Sequence, residues 1–141
     1  ATAPPTRKGL VFPVKLINPD TIVKPASMYS QGVQIAPSRQ RLIISGQVGL
    51  KPDGTLEPTM RGQMERTWAN LFAVLHAAGF EKQHLAKMTI FVTEPGQTAL
   101  FREIRDRMMD GHACAATYLQ VAGLSSPEFK FEIEAEAVKE A

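Results

Sequence analysis

Cysteine is almost missing from this chain: Cys114 is the only one in 141 residues. An intrachain disulfide is therefore impossible, and so is a cysteine-based zinc cluster. Surplus charge is scarce as well. Sixteen Lys and Arg stand against 14 Asp and Glu, leaving +2 at pH 7. So small a surplus gives no electrostatic footprint for nucleic acid or an anionic membrane, and the pI of 8.8 reflects it rather than a basic patch. No apolar run approaches the roughly 20 residues of a membrane-spanning helix. The first residues carry Pro4, Pro5, Arg7 and Lys8 without an apolar stretch, so no signal peptide is visible and a cytoplasmic location is expected. Gly-rich phosphate loops and a G-x-S-x-G elbow are missing, and His76, His84 and His112 fall on separate elements without a metal-ligand spacing.

What is present is an ordinary globular balance, 44% hydrophobic and 21% charged, in a chain the size of one domain. Residues 1–13, rich in Pro, Thr and basic residues, read as a flexible N-terminal arm, and 14–141 as a single domain. Val14–Val23 reads as a strand interrupted by the turn-forming trio Asn18-Pro19-Asp20. Gly32–Ala36 and Arg41–Val48 read as a hairpin about residues 37–40. A helix is expected from about Pro58 to Ala78, because Met60, Met64, Trp68, Leu71, Leu75 and Ala78 recur at steps of three and four. Pro58 suits its first turn and Gly79 its end. Leu85–Thr93 reads as a strand and Thr98–Met109 as a second helix that buries Leu100, Phe101, Ile104 and Met108. Thr117–Leu124 is a further strand. The last, Phe129–Val138, alternates cleanly, with Phe131, Ile133, Ala135 and Ala137 on one face and Glu132, Glu134 and Glu136 on the other.

The order is β-β-β-α-β-α-β-β, an α+β arrangement of about six strands and two helices. Two helices cover one face of such a sheet, so the other meets solvent or another subunit. Consecutive apolar residues at Leu42, Ile43 and Ile44 suggest burial on both faces in the middle of the sheet.

Few residues carry chemistry. Arg102 and Arg105 lie three apart on the second helix; they read as a solvated face or as an anion clamp. The three glutamates of the last strand read as a wet polar edge or, if covered by a subunit contact, as proton carriers with raised pKa. His112 and Cys114 suggest a thiol–imidazole pair, but the Ala-rich surroundings favour a buried, inert thiol. Tyr29-Ser30-Gln31-Gly32 offers a ring and donors to a small ligand, or simple turn chemistry.

Several segments in register resemble the Rid (YjgF) family, also called L-PSP endoribonuclease. They are Tyr29-Ser30-Gln31-Gly32-Val33, Ile44-Ser45-Gly46-Gln47-Val48, Ala77-Ala78-Gly79-Phe80, the run from Lys87 to Thr93, and the terminal Phe131-Glu132-Ile133-Glu134-Ala135-Glu136-Ala137-Val138. The resemblance spans about residues 17 to 138. It implies a chorismate-mutase-like fold with two helices on one face of a mixed sheet. It also implies a homotrimer whose sheets form a central barrel, with small-molecule clefts between subunits. The implied activity is hydrolysis of enamines and imines to a carbonyl compound and ammonia, with no metal or cofactor. Non-catalytic ligand binding by the same trimer is the alternative, and ribonuclease activity is disfavoured by the neutral charge.

By that resemblance Glu132 positions and activates water, while Tyr29 and Gly46 line the cleft. Deaminases of the family carry an arginine for the substrate carboxylate on the penultimate strand, within Arg-Ser-Cys-Val-Glu-Val. Alignment on Val121-Ala122-Gly123-Leu124 places Ala116 at that arginine and Tyr118 at the cysteine. A second arginine position, in an Arg-Pro-Ala run, is occupied by Ala113-Cys114-Ala115, and Arg102 stands where deaminases have Asn. The resemblance thus implies a branch without the carboxylate clamp, whose cleft prefers neutral or aromatic ligands unless Arg102 or Arg105 supplies the cation.

Overall fold

A computed structural model describes residues 14–37 and 40–140. The expected N-terminal arm, 1–13, and Ser38-Arg39 in the expected hairpin turn lie outside the described residues. The elements are β1 (Val14–Ile17), β2 (Gly32–Ile35), β3 (Gln40–Gln47), α1 (Met60–Ala77), β4 (Leu85–Val92), α2 (Thr98–Met109), β5 (Ala115–Gln120) and β6 (Phe131–Lys139), with a short 3₁₀ turn, Lys82–His84, before β4. The order of strands and helices is the one expected.

α1 begins one residue after Thr59, whose hydroxyl accepts a hydrogen bond from the Gly62 N–H at 3.0 Å. Pro58 therefore precedes the cap rather than opening the first turn. At the other end Gly79 takes φ +80°, and the Phe80 N–H donates back to the Leu75 carbonyl at 2.9 Å. Met64, Trp68, Leu71 and Leu75 are fully buried, as their spacing requires. Two amides on the same helix, one buried and one half-buried, were not singled out from the sequence. Gln63 is 1% exposed; its Nε2 donates to the carbonyls of Glu57 and Glu128, and its Oε1 accepts from the Lys130 N–H. Asn70 Nδ2 donates to the Val48 and Leu50 carbonyls, both at 2.9 Å. These bonds hold the segment after β3, and the entry to β6, against the helix.

The main sheet is four-stranded and mixed, in the order β3-β6-β4-β5; only β4 and β5 run parallel, linked by α2. β1 and β2 form a separate antiparallel pair. This divides the six expected strands into four and two, and it corrects the expected β2–β3 hairpin. The cause is local. Asn18 Oδ1 accepts from the Gln31 N–H at 2.8 Å, and Gln31 Nε2 donates to the Val23 carbonyl at 3.0 Å. The loop after β1 is thereby tied back onto the start of β2. Met88, Ile90, Val92, Phe131 and Ile133 point into one core with Trp68, Leu71, Phe101 and Ile104 from the helices.

β3 is a sheet edge, not its middle. Ile44 is buried, but Ile43 is 62% exposed on the face away from the helices. That open face also presents Lys87, Thr89, Phe91, Glu132, Glu134 and Glu136, paired across the strands. Arg41 Nη2 donates to Glu136 Oε1 at 2.9 Å, so the glutamate row is partly neutralised.

Gly49 packs where no side chain fits. A Cβ there would sit 2.6 Å from the Gln63 Cα, a backbone atom of α1 that cannot swing aside. Gly49→Ala is expected to lower the unfolding free energy by about 1–3 kcal/mol, measured by urea titration; an unchanged midpoint would mean the loop moves freely off the helix.

Candidate functional site

The loop at Tyr29 is fixed by its neighbours. The Ser30 N–H donates to the Cys114 carbonyl at 3.1 Å, and Ser30 Oγ donates to the Ala113 carbonyl. Ser30 itself is 3% exposed. These bonds lay the loop along the start of β5. Between this loop, β5 and α2 lies a cavity of about 330 Å³, lined by Ser27, Tyr29, Ile90, Thr98, Phe101, Arg102, Arg105, Ala116, Thr117 and Tyr118. That volume is at the small end for ligand pockets. Five of the residues singled out from sequence, Tyr29, Arg102, Arg105, Ala116 and Tyr118, therefore converge here.

The cavity has one aromatic wall and one cationic wall. The Tyr118 ring packs on Phe101 with centroids 5.1 Å apart. Its hydroxyl is buried, and burial raises its pKa against the opposing effect of a hydrogen bond with the Thr98 side chain. Arg102 is exposed, in keeping with a solvated helix face. Arg105 is not: it is 5% exposed, with its guanidinium carbon 5.4 Å from the Phe101 centroid. The solvated-face reading thus fails for Arg105. The buried side of α2 is Phe101, Ile104, Arg105 and Met109, with the expected Leu100 and Met108 only half-buried.

Glu132 and Gly46 form a second constellation on the open face. A Cβ on Gly46 would fall 1.7 Å from Glu132 Oε2 and 2.7 Å from its Cδ. The glycine makes room for the carboxylate, and any side chain there displaces it. Glu132 is half-buried, and its pKa is raised above the ordinary value, first by burial and then by the charge of Glu134. Glu134 is exposed.

The two constellations do not meet within one chain. Glu132 lies opposite Phe91 on β4, whereas Tyr118 lies opposite Ile90, so the two side chains leave opposite faces of the sheet. β4 also stands between their strands.

The other candidates resolve into structural roles. Burial pushes the Cys114 thiol up to about 12, far from a reactive thiolate. The His112 ring bonds through Nε2 to the Leu85 carbonyl at 2.7 Å rather than to Cys114. His84 Nδ1 accepts from the Glu81 N–H, and His76 lies 3.4 Å from Glu81 Oε1. Among the described residues no group of three or more His, Cys, Asp or Glu side chains is placed to hold a metal ion. No helix among them is long and apolar enough to cross a membrane.

Comparison with known proteins places this geometry among relatives. A family model described as Endoribonuclease L-PSP matches residues 20–139. DfrA of Myxococcus xanthus is 36% identical over 127 residues, covering 88% of this chain and 95% of that protein. The 2-iminobutanoate/2-iminopropanoate deaminase of Mus musculus is 34% identical over 113 residues, covering 79% of this chain and 81% of that one. Among solved structures, the Rid-family protein YyfB of Yersinia pestis, of unknown function, superposes with a TM-score of 0.82 at 28% identity, covering 89% and 98% of the two chains. Escherichia coli TdcF, solved with bound serine, gives 0.67 at 29% identity with the same coverage.

The raised pKa of Glu132 sets a sign for stability. With rising pH the unfolded chain gives up this proton first, while the folded chain still holds it. The folded state then binds more protons, so this group's contribution to stability falls as pH rises from its ordinary value through the raised one. Glu132→Gln removes that decline. The variant is expected to gain stability relative to the parent as pH rises above the ordinary carboxylate range, followed by denaturant unfolding at a series of pH values; parallel curves would show that the carboxylate is not desolvated.

Proposed function

Because this chain belongs to the Rid family, whose model is described as endoribonuclease L-PSP, we propose that it hydrolyses reactive imines or enamines, with Glu132 as general base. The observation that carries the proposal is the seat of that carboxylate: half-buried, with a raised pKa, and held in space that only glycine at position 46 leaves open. A carboxylate of raised basicity takes a proton from water more readily. Water then adds to the C=N carbon, the nitrogen receives the proton, and the carbinolamine collapses. Imine plus water becomes carbonyl compound plus ammonia, with no redox partner required. Two relatives support a small nitrogenous substrate: the mouse protein is named a deaminase of 2-imino acids, and TdcF was solved with serine. The +2 net charge favours such a ligand over RNA.

In this proposal the site is completed between subunits. Glu132 and the cavity lined by Tyr29, Ala116 and Tyr118 leave opposite sheet faces, so a neighbouring protomer must bring a carboxylate to each cavity. A ring of three with head-to-tail contacts does this, and it covers the open face that carries exposed Ile43. Light scattering at micromolar concentration is expected to give three times the 15.5 kDa chain mass; a monomer would remove the shared site.

Catalysis has its own test. Imines generated in place by an amino-acid oxidase are supplied, and ammonia release is followed. Glu132→Gln is expected to lower kcat by about 10²-fold or more without loss of folding. Ala116→Trp fills the cavity and is expected to be inactive as well. Unfolded together and refolded, the two inactive variants are expected to recover about a quarter of parental activity, since random trimers place a sound carboxylate beside a sound cavity at that frequency. No recovery would mean that each chain carries its own site. Parental ammonia release no faster than the spontaneous reaction would leave ligand binding without catalysis.

A further inference from the structure

We infer that Ser30 and Asn18 are positioning residues: together they fix where Tyr29 stands against β5, and so set the width of the cavity. This deepens the reading just given, on which its kinetic consequence rests.

Tyr29 lines the cavity from the loop between β1 and β2, and Ala116 lines it from β5. The tip of that loop is poorly packed. Ile22 is 50% exposed and Val23 80%, so burial of apolar surface does not hold this stretch in place. Two anchors flank Tyr29 instead. On one side Met28 is half-buried against the core. On the other, the backbone and hydroxyl of the buried Ser30 both bond to the residues just before Ala116. The N–H donates to the Cys114 carbonyl at 3.1 Å and Oγ donates to the Ala113 carbonyl at 2.5 Å, while Ser30 stands beside Ala115 in a parallel bridge. The clamp is therefore next to Tyr29 on one wall and next to Ala116 on the other. A shift in it passes directly to the gap between them.

Asn18 keeps the clamp in line. It follows β1 directly, and it bonds to residues 12 and 13 positions on rather than within its own turn. Its Oδ1 accepts from the Gln31 N–H at 2.8 Å, and its Nδ2 approaches Ser30 Oγ at 3.5 Å. A serine hydroxyl rotates to suit its neighbours. With an amide donor on one side of Oγ, its proton is directed to the Ala113 carbonyl.

Two readouts test this. The first is the kinetics of imine hydrolysis. A variant that merely unfolds in part loses active molecules, so apparent kcat falls and KM stays; a displaced binding wall does the reverse. Ser30→Ala and Asn18→Ala are each expected to raise KM about tenfold, with kcat within about twofold of the parent. Asn18→Asp keeps the acceptor for Gln31 and is expected to lose less than Asn18→Ala. In a Tyr29→Ala background Ser30→Ala and Asn18→Ala are expected to leave KM where Tyr29→Ala alone puts it, because no ring remains to be misplaced. Asn18 is exposed, so its variants decide the matter if Ser30→Ala fails to fold. The second readout needs no turnover. The chain has only two tyrosines, Tyr29 and Tyr118, so 3-fluorotyrosine labelling gives one fluorine resonance for each, assigned with Tyr29→Phe. Asn18→Ala, remote from Tyr29 in sequence, is expected to shift or broaden the Tyr29 resonance and to spare that of Tyr118. An unmoved Tyr29 resonance, or KM increases that persist in full without Tyr29, would overturn the inference. Its failure is distinguishable from that of the hydrolase reading. A displaced Tyr29 resonance without ammonia release overturns only catalysis, whereas ammonia release with KM unchanged in folded Ser30 and Asn18 variants overturns only the positioning.

Discussion

Two helices can cover one side of a sheet and not both, and this fold follows from that limit. Every strand of the main sheet must sort its residues by parity. On β6, Phe131, Ile133, Ala135 and Ala137 go inward, and the three glutamates go outward. A register slip of one residue would bury the carboxylates and expose the aromatic and aliphatic residues, so the pairing is strongly specified. Chemistry is sorted by the same rule. The even-numbered β5 residues Ala116 and Tyr118 share the helix side with Ile90, while Glu132 shares the open side with Phe91.

This sorting explains why the candidate site is divided. An apolar-walled cavity forms where the edge strand β5 stands off from α2, because the Tyr29 loop is bonded along it by Ser30. Glu132 leaves the opposite face of the sheet and does not line that cavity within one chain. Burial raises the pKa of Glu132 only where the glycine opposite it lets the carboxylate lie against the sheet. The cavity and the carboxylate thus rest on different physical conditions, one on enclosure and the other on a close backbone approach.

Much of the fold was legible in the sequence, and the failures share a cause. Residues 98–109 form a helix with the expected bounds, and the stripe through Met64, Trp68, Leu71 and Leu75 is core. Polar residues on buried faces were missed: Gln63, and Arg105. Gln63 was not singled out at all, and Arg105 was read as a solvated face or an anion clamp, although it lies four residues from Phe101 and four from Met109, on the same stripe. That spacing was the available signal. Strand partners were harder to read, since nothing local in Gly32–Ile35 says whether β1 or β3 lies beside it. The convergence of Tyr29, Arg102, Ala116 and Tyr118 rests on contacts distant in sequence, which spacing does not encode; Tyr29 and Arg102 stood out by residue type, whereas Ala116 and Tyr118 were named only by a family resemblance.

The place of β6 in the sheet has a consequence for synthesis. It is last in the element order, yet it lies between β3 and β4 in space. While a nascent chain still lacks it, β3 has no partner and β4 has only β5, so both strands present open hydrogen-bonding edges. The Gln63 amide likewise awaits the carbonyl of Glu128 and the N–H of Lys130. The sheet therefore cannot take its order β3-β6-β4-β5 until β6 has left the ribosome. Until then its safety from mispairing rests on chaperones or on speed.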